Sequence, residues 1–214
     1  YIQTREADPQ ITADAMISCL SPETKQIRGT NFAIIRKTES LHVSLPFVRK
    51  SIPLCVLFRA LGIESDEEIV RQIIPSMDPE ELKLFEPYFI ACFIDAYPVL
   101  DTYSAIQYIK TLTKGFGEAH VLDIIHNQTF THVPDSPGAR AAFLGDCVRK
   151  IYRVYMGLDA NTSRDDTRNQ RCLVSGFLTQ TLFQGVYKNW SKAVGRAIDE
   201  EYNYNKSVYM DESF

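Results

Sequence analysis

The stretch PLCVLFRALGIESDEEIVRQI, residues 53–73, predicts two helices that are joined by an abrupt corner. Ser51 can cap the first helix, and Pro53 is tolerated in a first turn because the backbone N–H groups there lack intrahelical partners. Gly62 offers the left-handed conformation that ends a helix, with the next apolar residue folding back on the last turn. The first helix is therefore expected to stop at this glycine.

The second helix is expected to start at once. Ser65 and Glu68 have the spacing of a capping box, and Asp66 adds negative charge to the positive end of the helix dipole. Arg59 lies on the last turn of the first helix, where a cation is favourable and can bond Asp66 across the corner. Since none of these residues is a nucleophile or a metal cluster, the corner is interpreted as architectural.

The composition is that of an ordinary globular protein. The 214 residues suffice for one large or two small domains, and 45% of them are apolar. The net charge of −4 argues against a strongly basic polyanion binder, so any nucleic-acid contact must come from a local patch. The start YIQTREADPQ has no signal-peptide character and no initiator Met, and we expect a piece of a longer protein.

The cysteines and the hydropathy point to a reduced protein outside the membrane. No apolar run approaches the length of a membrane span, so no membrane partner is expected. The five cysteines are far apart, odd in number and set mostly among apolar neighbours, which is typical of buried reduced thiols. They are Cys19, Cys55, Cys92, Cys147 and Cys172.

The first fifty residues alternate in polarity like strands of a small antiparallel sheet. The predicted strands are residues 1–6, 15–20, 31–36 and 41–48, with turns at 28–30 and 37–40. Pro46 marks an edge or an end of its strand, because proline cannot donate to a ladder. The periodicity after Ser51 is helical, and the predicted class is α+β, with a mainly helical bundle following the sheet.

Several capping residues and apolar faces define the later helices. Asp78 and Asp101 are predicted N-caps, and Pro87 is expected to kink or split the helix that follows Asp78. The predicted helices run over residues 79–94, 101–112, 118–129, 139–156 and 172–202. The apolar face of the second of these is predicted to hold Tyr103, Ile106, Ile109 and Leu112.

The C-terminal helix is unusually long. It carries apolar residues about every fourth position and is expected to bend at Gly176 or Gly185. A helix of this length outreaches a domain of this size, so part of its apolar face is expected to pack on an element outside the chain.

No catalytic constellation is apparent. His120, His126 and His132 recur every six residues, which does not place them on one helical face, and they are interpreted as ordinary histidines. Asp165 and Asp166 could hold a divalent cation, but adjacent side chains point apart and local ion pairing is favoured. No metal or cofactor site is therefore predicted in this chain.

Basic side chains form two clusters that could serve contacts. They are Arg149, Lys150 and Arg153 on a predicted helix, and Arg164, Arg168 and Arg171 in the following loop. The first cluster is either a solvated helix face or a DNA contact. The second could fix a neighbouring domain through charge-assisted bonds or meet a phosphate backbone, and the domain contact is favoured.

Three segments resemble a known family. RDDTRNQRCLVSGFL, residues 164–178, is similar to the RDxxxNKRLxxxGxLL segment of the second-largest subunit of multisubunit DNA-directed RNA polymerases. IPLCVLFRALGIESDEEIVRQI, residues 52–73, is similar to that family's IPIxxxFRALGxxSDxxIxxxI, and SPGARAAFLGDCVRKIY, residues 136–152, resembles its xKAxFLGxM segment. The matched positions that we single out are Arg59, Gly62, Ser65, Asp66, Arg164, Asp165, Asn169, Arg171 and Gly176.

The resemblance implies the lobe domain of that subunit. The implied parts are a β-rich portion at residues 1–50, a helical portion at 51–163, and a loop and long helix at 164–214 that lead back toward the neighbouring protrusion. In the family, the lobe is one wall of the downstream DNA cleft and docks transcription factors. For Arg59 the resemblance leaves two alternatives, the bond to Asp66 and a contact with DNA, and the bond to Asp66 is favoured. The implied partners are the largest polymerase subunit, the other subunits, transcription factors and downstream duplex DNA.

The resemblance also places the chemistry elsewhere. Nucleotide addition in the family depends on magnesium bound by other segments, so this chain is expected to be a non-catalytic piece of a nucleotidyltransferase that binds duplex DNA weakly and with strong salt dependence. Ser163, Arg168 and Cys172 depart from the family pattern, which favours a viral or otherwise fast-evolving member. The expected location is the nucleus, or the cytoplasm or virion for a large DNA virus.

Two alternatives remain open at this point. One is a self-contained helical adaptor that binds proteins, and the other is a hydrolase or transferase that uses His120 or Asp165. The adaptor predicts a reading frame that ends near Phe214, whereas the polymerase interpretation requires continuation into further segments.

Overall fold

The computed structural model describes residues 1–6, 8–21, 27–113, 117–134, 136–170, 172 and 174–206. The chain forms two compact units, Tyr1–Asn169 and Gln170–Phe214. The strands are β1 (Ile2–Thr4), β2 (Ile11–Leu20), β3 (Ile27–Ile35), β4 (Leu41–Ser44) and β5 (Ile52–Pro53). The helices are α1 (Leu54–Ala60), α2 (Asp66–Ile73), α3 (Pro79–Ala96), α4 (Thr102–Leu112), α5 (Glu118–Asp123), a π-helical segment (Ile124–Gln128), α6 (Pro137–Tyr155) and α7 (Ser175–Tyr204).

The strands form one antiparallel sheet in the order β1-β2-β3-β4-β5, which confirms the predicted α+β class. Phe32 pairs with Ala15 on one side and with Val43 on the other, so the three side chains share a face. All three are buried, as the two-residue period requires for the face that covers a core.

Three details of the predicted sheet are wrong. The turn expected at residues 28–30 belongs to β3, because Arg28 pairs with Cys19 and Thr30 with Ile17 in the β2–β3 ladder. Ser51 does not cap α1, because Pro53 forms β5 with His42 and is itself the N-cap residue. The strand before Pro46 ends earlier than predicted.

The corner after α1 closes as the sequence predicts. Gly62 has a φ of 92°, its N–H donates to the Arg59 carbonyl at 3.0 Å, and the Ile63 N–H donates to the Phe58 carbonyl at 3.0 Å. These two bonds are the Schellman pattern, in which the left-handed residue lets the chain turn back on the last carbonyls. Ile63 packs against the edge of the core.

Gly62→Ala is expected to destabilise the protein by about 1 kcal/mol, because a Cβ makes the left-handed backbone unfavourable although the space around Gly62 is open. Gly62→Asn is the matched control, since asparagine tolerates this conformation better. The measurement is urea unfolding followed by circular dichroism. Equal losses for the two variants would show that backbone strain is not the cause.

The start of α2 is partly as predicted. Ser65 is the N-cap residue, but its side chain makes no capping hydrogen bond, so the capping box with Glu68 is not formed. The carbonyl of Ser65 instead accepts the first helical bond from the Ile69 N–H at 3.0 Å. Three acidic residues still lie in the first turn, where they favour the helix dipole.

The caps of α3 and α4 are confirmed, but their interiors differ from expectation. Asp78 accepts a hydrogen bond from the Glu80 N–H at 3.1 Å, and the Asp101 N–H donates to Ser104 at 3.0 Å. Pro87 lies inside α3 without splitting it. Tyr103 is 67% exposed, so the predicted apolar face of α4 is wrong at that position.

Helix α6 is central to the first unit. It contacts β1, β2 and α2, and its Tyr152 is fully buried with its ring centroid 5.4 Å from that of Phe85. A Cβ built on Gly145 of α6 would lie 2.1 Å from the backbone oxygen of Gln72, so α6 approaches the end of α2 without a side chain between them. One core is shared by the sheet and the helices of this unit.

The second unit is described by α7. The helix runs without a break through Gly176 and Gly185, the two positions where the sequence predicts a bend. Its large apolar side chains are exposed, including Leu182 at 69% and Trp190 at 58%. The described helices include none with the length and apolar character needed to cross a bilayer.

The cysteines are free thiols, with one departure from the predicted burial. Cys19, Cys55 and Cys92 are buried, whereas Cys147 is intermediate and Cys172 is exposed. Burial raises the pKa of the Cys147 thiol to about 12, which keeps it protonated and unreactive at neutral pH.

Candidate functional site

Arg59 lies at the centre of the α1–α2 corner. Its side chain is only 3% exposed, and its Nη2 donates to the Asp66 carboxylate at 2.7 Å, which is the pair that the sequence suggested. Its Nη1 also donates to the carbonyls of Ala96, at 3.1 Å, and Val99. One guanidinium therefore connects α1, the start of α2 and the end of α3.

The electrostatic setting explains why a cation is buried here. The carbonyls at the end of α3 carry the negative end of a helix dipole and lack intrahelical donors. Arg59 donates to one of these acceptors, the Ala96 carbonyl, and to the Val99 carbonyl three residues beyond the helix end, although its Nε has no hydrogen-bond partner among the described residues. The arrangement fixes the angle between helices and offers no group that could react.

The first basic cluster is mostly engaged within the fold. Arg149 Nη2 lies 2.8 Å from one oxygen of Glu81, and Arg153 Nη1 lies 2.7 Å from the other. Arg153 also reaches Asp159 at 2.8 Å. Glu81 was not identified from the sequence, and no local pattern marks it, because its partners are 68 and 72 residues away.

Lys150 differs from its two neighbours. It pairs with Asp146 one turn away on the same helix at 2.7 Å, and both side chains are more than half exposed. Such exposed pairs contribute little to stability. Lys150 therefore remains accessible to a partner, whereas Arg149 and Arg153 are held against Glu81.

Glu81→Gln is expected to lower stability at neutral pH by about 2 kcal/mol, because hydrogen bonds to a charged group are replaced by neutral ones. Burial acts to raise the pKa of the Glu81 carboxyl, but hydrogen bonds from Arg149 and Arg153 outweigh it and leave the pKa below its usual value. The ion pair therefore stabilises the fold above the ordinary carboxyl pKa, and this stability is lost as the pH falls through the lowered pKa.

Unfolding free energies measured from neutral to acid pH test this. The wild type should lose more stability on acidification than the variant, and the two curves should converge at low pH. Glu67→Gln is the control, since the Glu67–Arg71 pair is exposed on both sides. Parallel curves for wild type and Glu81→Gln would contradict the assignment.

The loop that follows α6 is folded on itself. The Asn169 side chain donates to the Ser163 carbonyl at 2.7 Å, and the Asp166 carboxylate accepts the Arg168 N–H at 3.0 Å. Asp165 donates its backbone N–H to the Ser163 hydroxyl at 3.2 Å. Asn169 thus closes the turn, which is an architectural role for a residue of the resemblance.

The second basic cluster lies partly within this loop. Arg164 is exposed, and Arg168 is 89% exposed with its Nε 3.5 Å from Asp166. Arg171 lies outside the described residues. Gly176 is the second residue of α7, in the other unit.

The acidic and histidine candidates do not form a metal centre. Asp166 holds the loop backbone, and the described residues contain no group of three or more His, Cys, Asp or Glu side chains placed around a common point. These residues do not fit a magnesium site. His120 lies beside Phe47, His126 beside Arg140, and His132 beside Cys19, so the three histidines have separate surroundings.

Comparisons of the sequence with known proteins identify one family. The family described as RNA polymerase Rpb2, domain 2 matches residues 3–173. DNA-directed RNA polymerase II subunit RPB2 of Schizosaccharomyces pombe is 25% identical over 167 residues, which are 73% of this chain and 13% of that protein.

Further relatives are eukaryotic and archaeal. DNA-directed RNA polymerase III subunit 2 of Arabidopsis thaliana is 23% identical over 208 residues, covering 92% of this chain and 17% of that protein. DNA-directed RNA polymerase subunit Rpo2N of Methanococcus vannielii is 25% identical over 181 residues, which are 78% of this chain and 34% of that protein. The chain spans well under two thirds of the length of these relatives. Because the family match covers most of the chain, the chain belongs to the RNA polymerase Rpb2, domain 2 family, the lobe of the second-largest subunit.

Proposed function

We propose that this domain works inside a DNA-directed RNA polymerase as a non-catalytic wall of the downstream DNA cleft and as a docking surface for transcription factors. The observation that carries the proposal is the family match over residues 3–173. It favours this function over a self-contained adaptor or an independent hydrolase. The implied partners are the largest subunit, the other polymerase subunits, transcription factors and downstream DNA.

The residues that match the family segments make structural contacts, which supports an architectural role for this domain. Arg59 binds the carbonyls of Ala96 and Val99, Gly62 adopts the left-handed turn, and Asn169 closes a loop. None of these groups is arranged to transfer a proton or to hold a metal. We infer that magnesium is bound by other segments of the polymerase. The residues of this chain maintain the structure of the cleft wall and take no part in the reaction.

The basic residues divide into structural and contact groups. Arg149 and Arg153 hold Glu81, so the residues proposed for contacts are Lys150, Arg164 and Arg168. Loop arginines at the end of the first unit suit charge-assisted bonds to a neighbouring domain better than a phosphate backbone, since a loop of fixed shape can match one partner. A viral source and a nuclear or cytoplasmic location remain predictions.

Photocrosslinking in the assembled polymerase tests the proposal. A photoreactive base placed in the downstream duplex should crosslink to this domain in the enzyme that contains the full-length subunit, whereas the same base placed upstream should not. The isolated chain should incorporate no nucleotide. Incorporation by the isolated chain, or crosslinks from the upstream base alone, would overturn the proposed function.

A further inference from the structure

Phe47 combines surface exposure with a strained backbone. Its side chain is 51% exposed, and its φ of 65° is in the left-handed region that bulky residues rarely adopt. Such strain persists only where the surrounding structure enforces it, and it clusters at functional sites. An exposed aromatic ring held in this way is a candidate contact residue.

Two side chains hold the Phe47 ring in place. The guanidinium carbon of Arg28 lies 4.7 Å from the ring centroid, which is a cation–π contact. The His120 ring lies edge-on with its centroid at 6.4 Å. The Nε of Arg28 is buried and has no hydrogen-bond partner among the described residues. The guanidinium is thus held beside an exposed ring.

Two further cations follow Phe47 closely in the chain. Arg49 and Lys50 are exposed and lie within three residues of Phe47, so their Cα atoms are within about 11 Å of its Cα. The Arg49 N–H donates to the Leu112 carbonyl at 3.2 Å, which anchors this loop to the end of α4. One cation therefore lies against this aromatic ring and two more lie within three residues of it, in a chain whose net charge is −4.

We propose that this basic–aromatic patch, formed by Arg28, Phe47, Arg49, Lys50 and His120, docks an acidic peptide segment that inserts an apolar side chain against Phe47. Aromatic residues and arginine are the side chains that dominate protein interfaces, and the cations complement carboxylates. Duplex DNA fits less well, because its phosphates gain nothing from the exposed Phe47 ring. The inference deepens the docking role proposed above and rests on it.

A binding assay with defined peptides tests the patch. The probe is a short fluorescent peptide rich in Asp and Glu with one Leu–Phe pair, and the control peptide carries Ser in place of that pair. The full chain should bind the probe more tightly than the control in fluorescence anisotropy. Binding should weaken as salt is added, because the charges are exposed.

Three variants separate the contributions. Phe47→Asn should weaken binding about tenfold or more without lowering the melting temperature, because asparagine tolerates the left-handed backbone. Arg49→Glu should weaken it by a similar factor. Arg71→Glu makes the same charge change on α2, where Arg71 is exposed and pairs with Glu67, and should leave binding almost unchanged.

The outcomes are decisive for the patch alone. Equal binding of the two peptides, no binding of the probe, or wild-type affinity for Phe47→Asn would overturn the inference. Duplex DNA that binds the wild type, fails with Arg49→Glu and still binds Phe47→Asn would assign the patch to phosphates instead. The crosslinking test of the proposed function does not use these residues, so the two failures are distinguishable.

Discussion

Gly145→Ala is expected to destabilise the first unit by about 3 kcal/mol or more, the upper part of the range for overpacking a core. An added Cβ would lie 2.1 Å from the backbone oxygen of Gln72 and 2.5 Å from its carbonyl carbon. Both atoms belong to α2, so relief requires that α2 and α6 move apart. Such a movement would open the core that the two helices share.

The expected loss of stability is opposite in sign to the usual effect of replacing glycine by alanine in a helix. Alanine within a helix is normally more favourable than glycine by up to about 1 kcal/mol. Gly138 lies on the same helix with open space around its Cβ position, so Gly138→Ala is the matched control and should leave stability unchanged or slightly raised. Chemical unfolding of the two variants measures the difference. Similar stabilities would mean that α2 can withdraw at little cost.

Arg59→Ala is expected to cost about 3 kcal/mol, because it removes a buried cation from partners that stay in place. The Val99 carbonyl would lose the Arg59 donor, the Ala96 carbonyl would keep only the Val99 N–H, and Asp66 would lose its ion pair. The corner that Gly62 turns would then no longer be tied to the end of α3. Loss of the fixed corner should also increase hydrogen exchange of the α1 and α2 amides.

Two control variants identify which bonds matter. Asp66→Asn should have a much smaller effect, since Asp66 is 52% exposed, the asparagine amide oxygen can still accept from Arg59, and the two backbone carbonyls still hold the guanidinium. Arg59→Lys keeps the charge, but one ammonium group cannot reach the two carbonyls and the carboxylate together. Its loss of stability should therefore be close to that of Arg59→Ala. If Asp66→Asn lowered the stability as much as Arg59→Ala, the ion pair and not the bonds to the carbonyls would be what stabilises the corner.

The α1–α2 corner shows which contacts of the site can be predicted from the sequence and which cannot. The left-handed glycine and the Arg59–Asp66 pair were predicted, because both depend on residues within one or two helical turns. The bonds from Arg59 to Ala96 and Val99 were not, since 37 and 40 residues separate the partners. The capping box of Ser65 was wrong because a pattern states which bond is possible and not which one forms.

The basic cluster on α6 shows the same limit. Its period placed Arg149, Lys150 and Arg153 on a polar face, which suggested solvent or a phosphate backbone. Glu81 occupies the position where α3 meets this face and takes up two of the three charges. Its side chain is 9% exposed, and no feature of its own segment marks it as buried.

By itself, the sequence determined the fold class, most of the element order, the left-handed corner and the family resemblance. The first three depend on hydrogen bonds, periodicity or caps that join residues close together in the chain, and the resemblance depends on the identity of residues within three short segments. Only the tertiary structure decided that Gly145 is a point of close approach, that Glu81 holds two arginines, and that Phe47 lies exposed beside Arg28. Those contacts join distant segments, and their existence depends on how the elements pack, which no local pattern encodes.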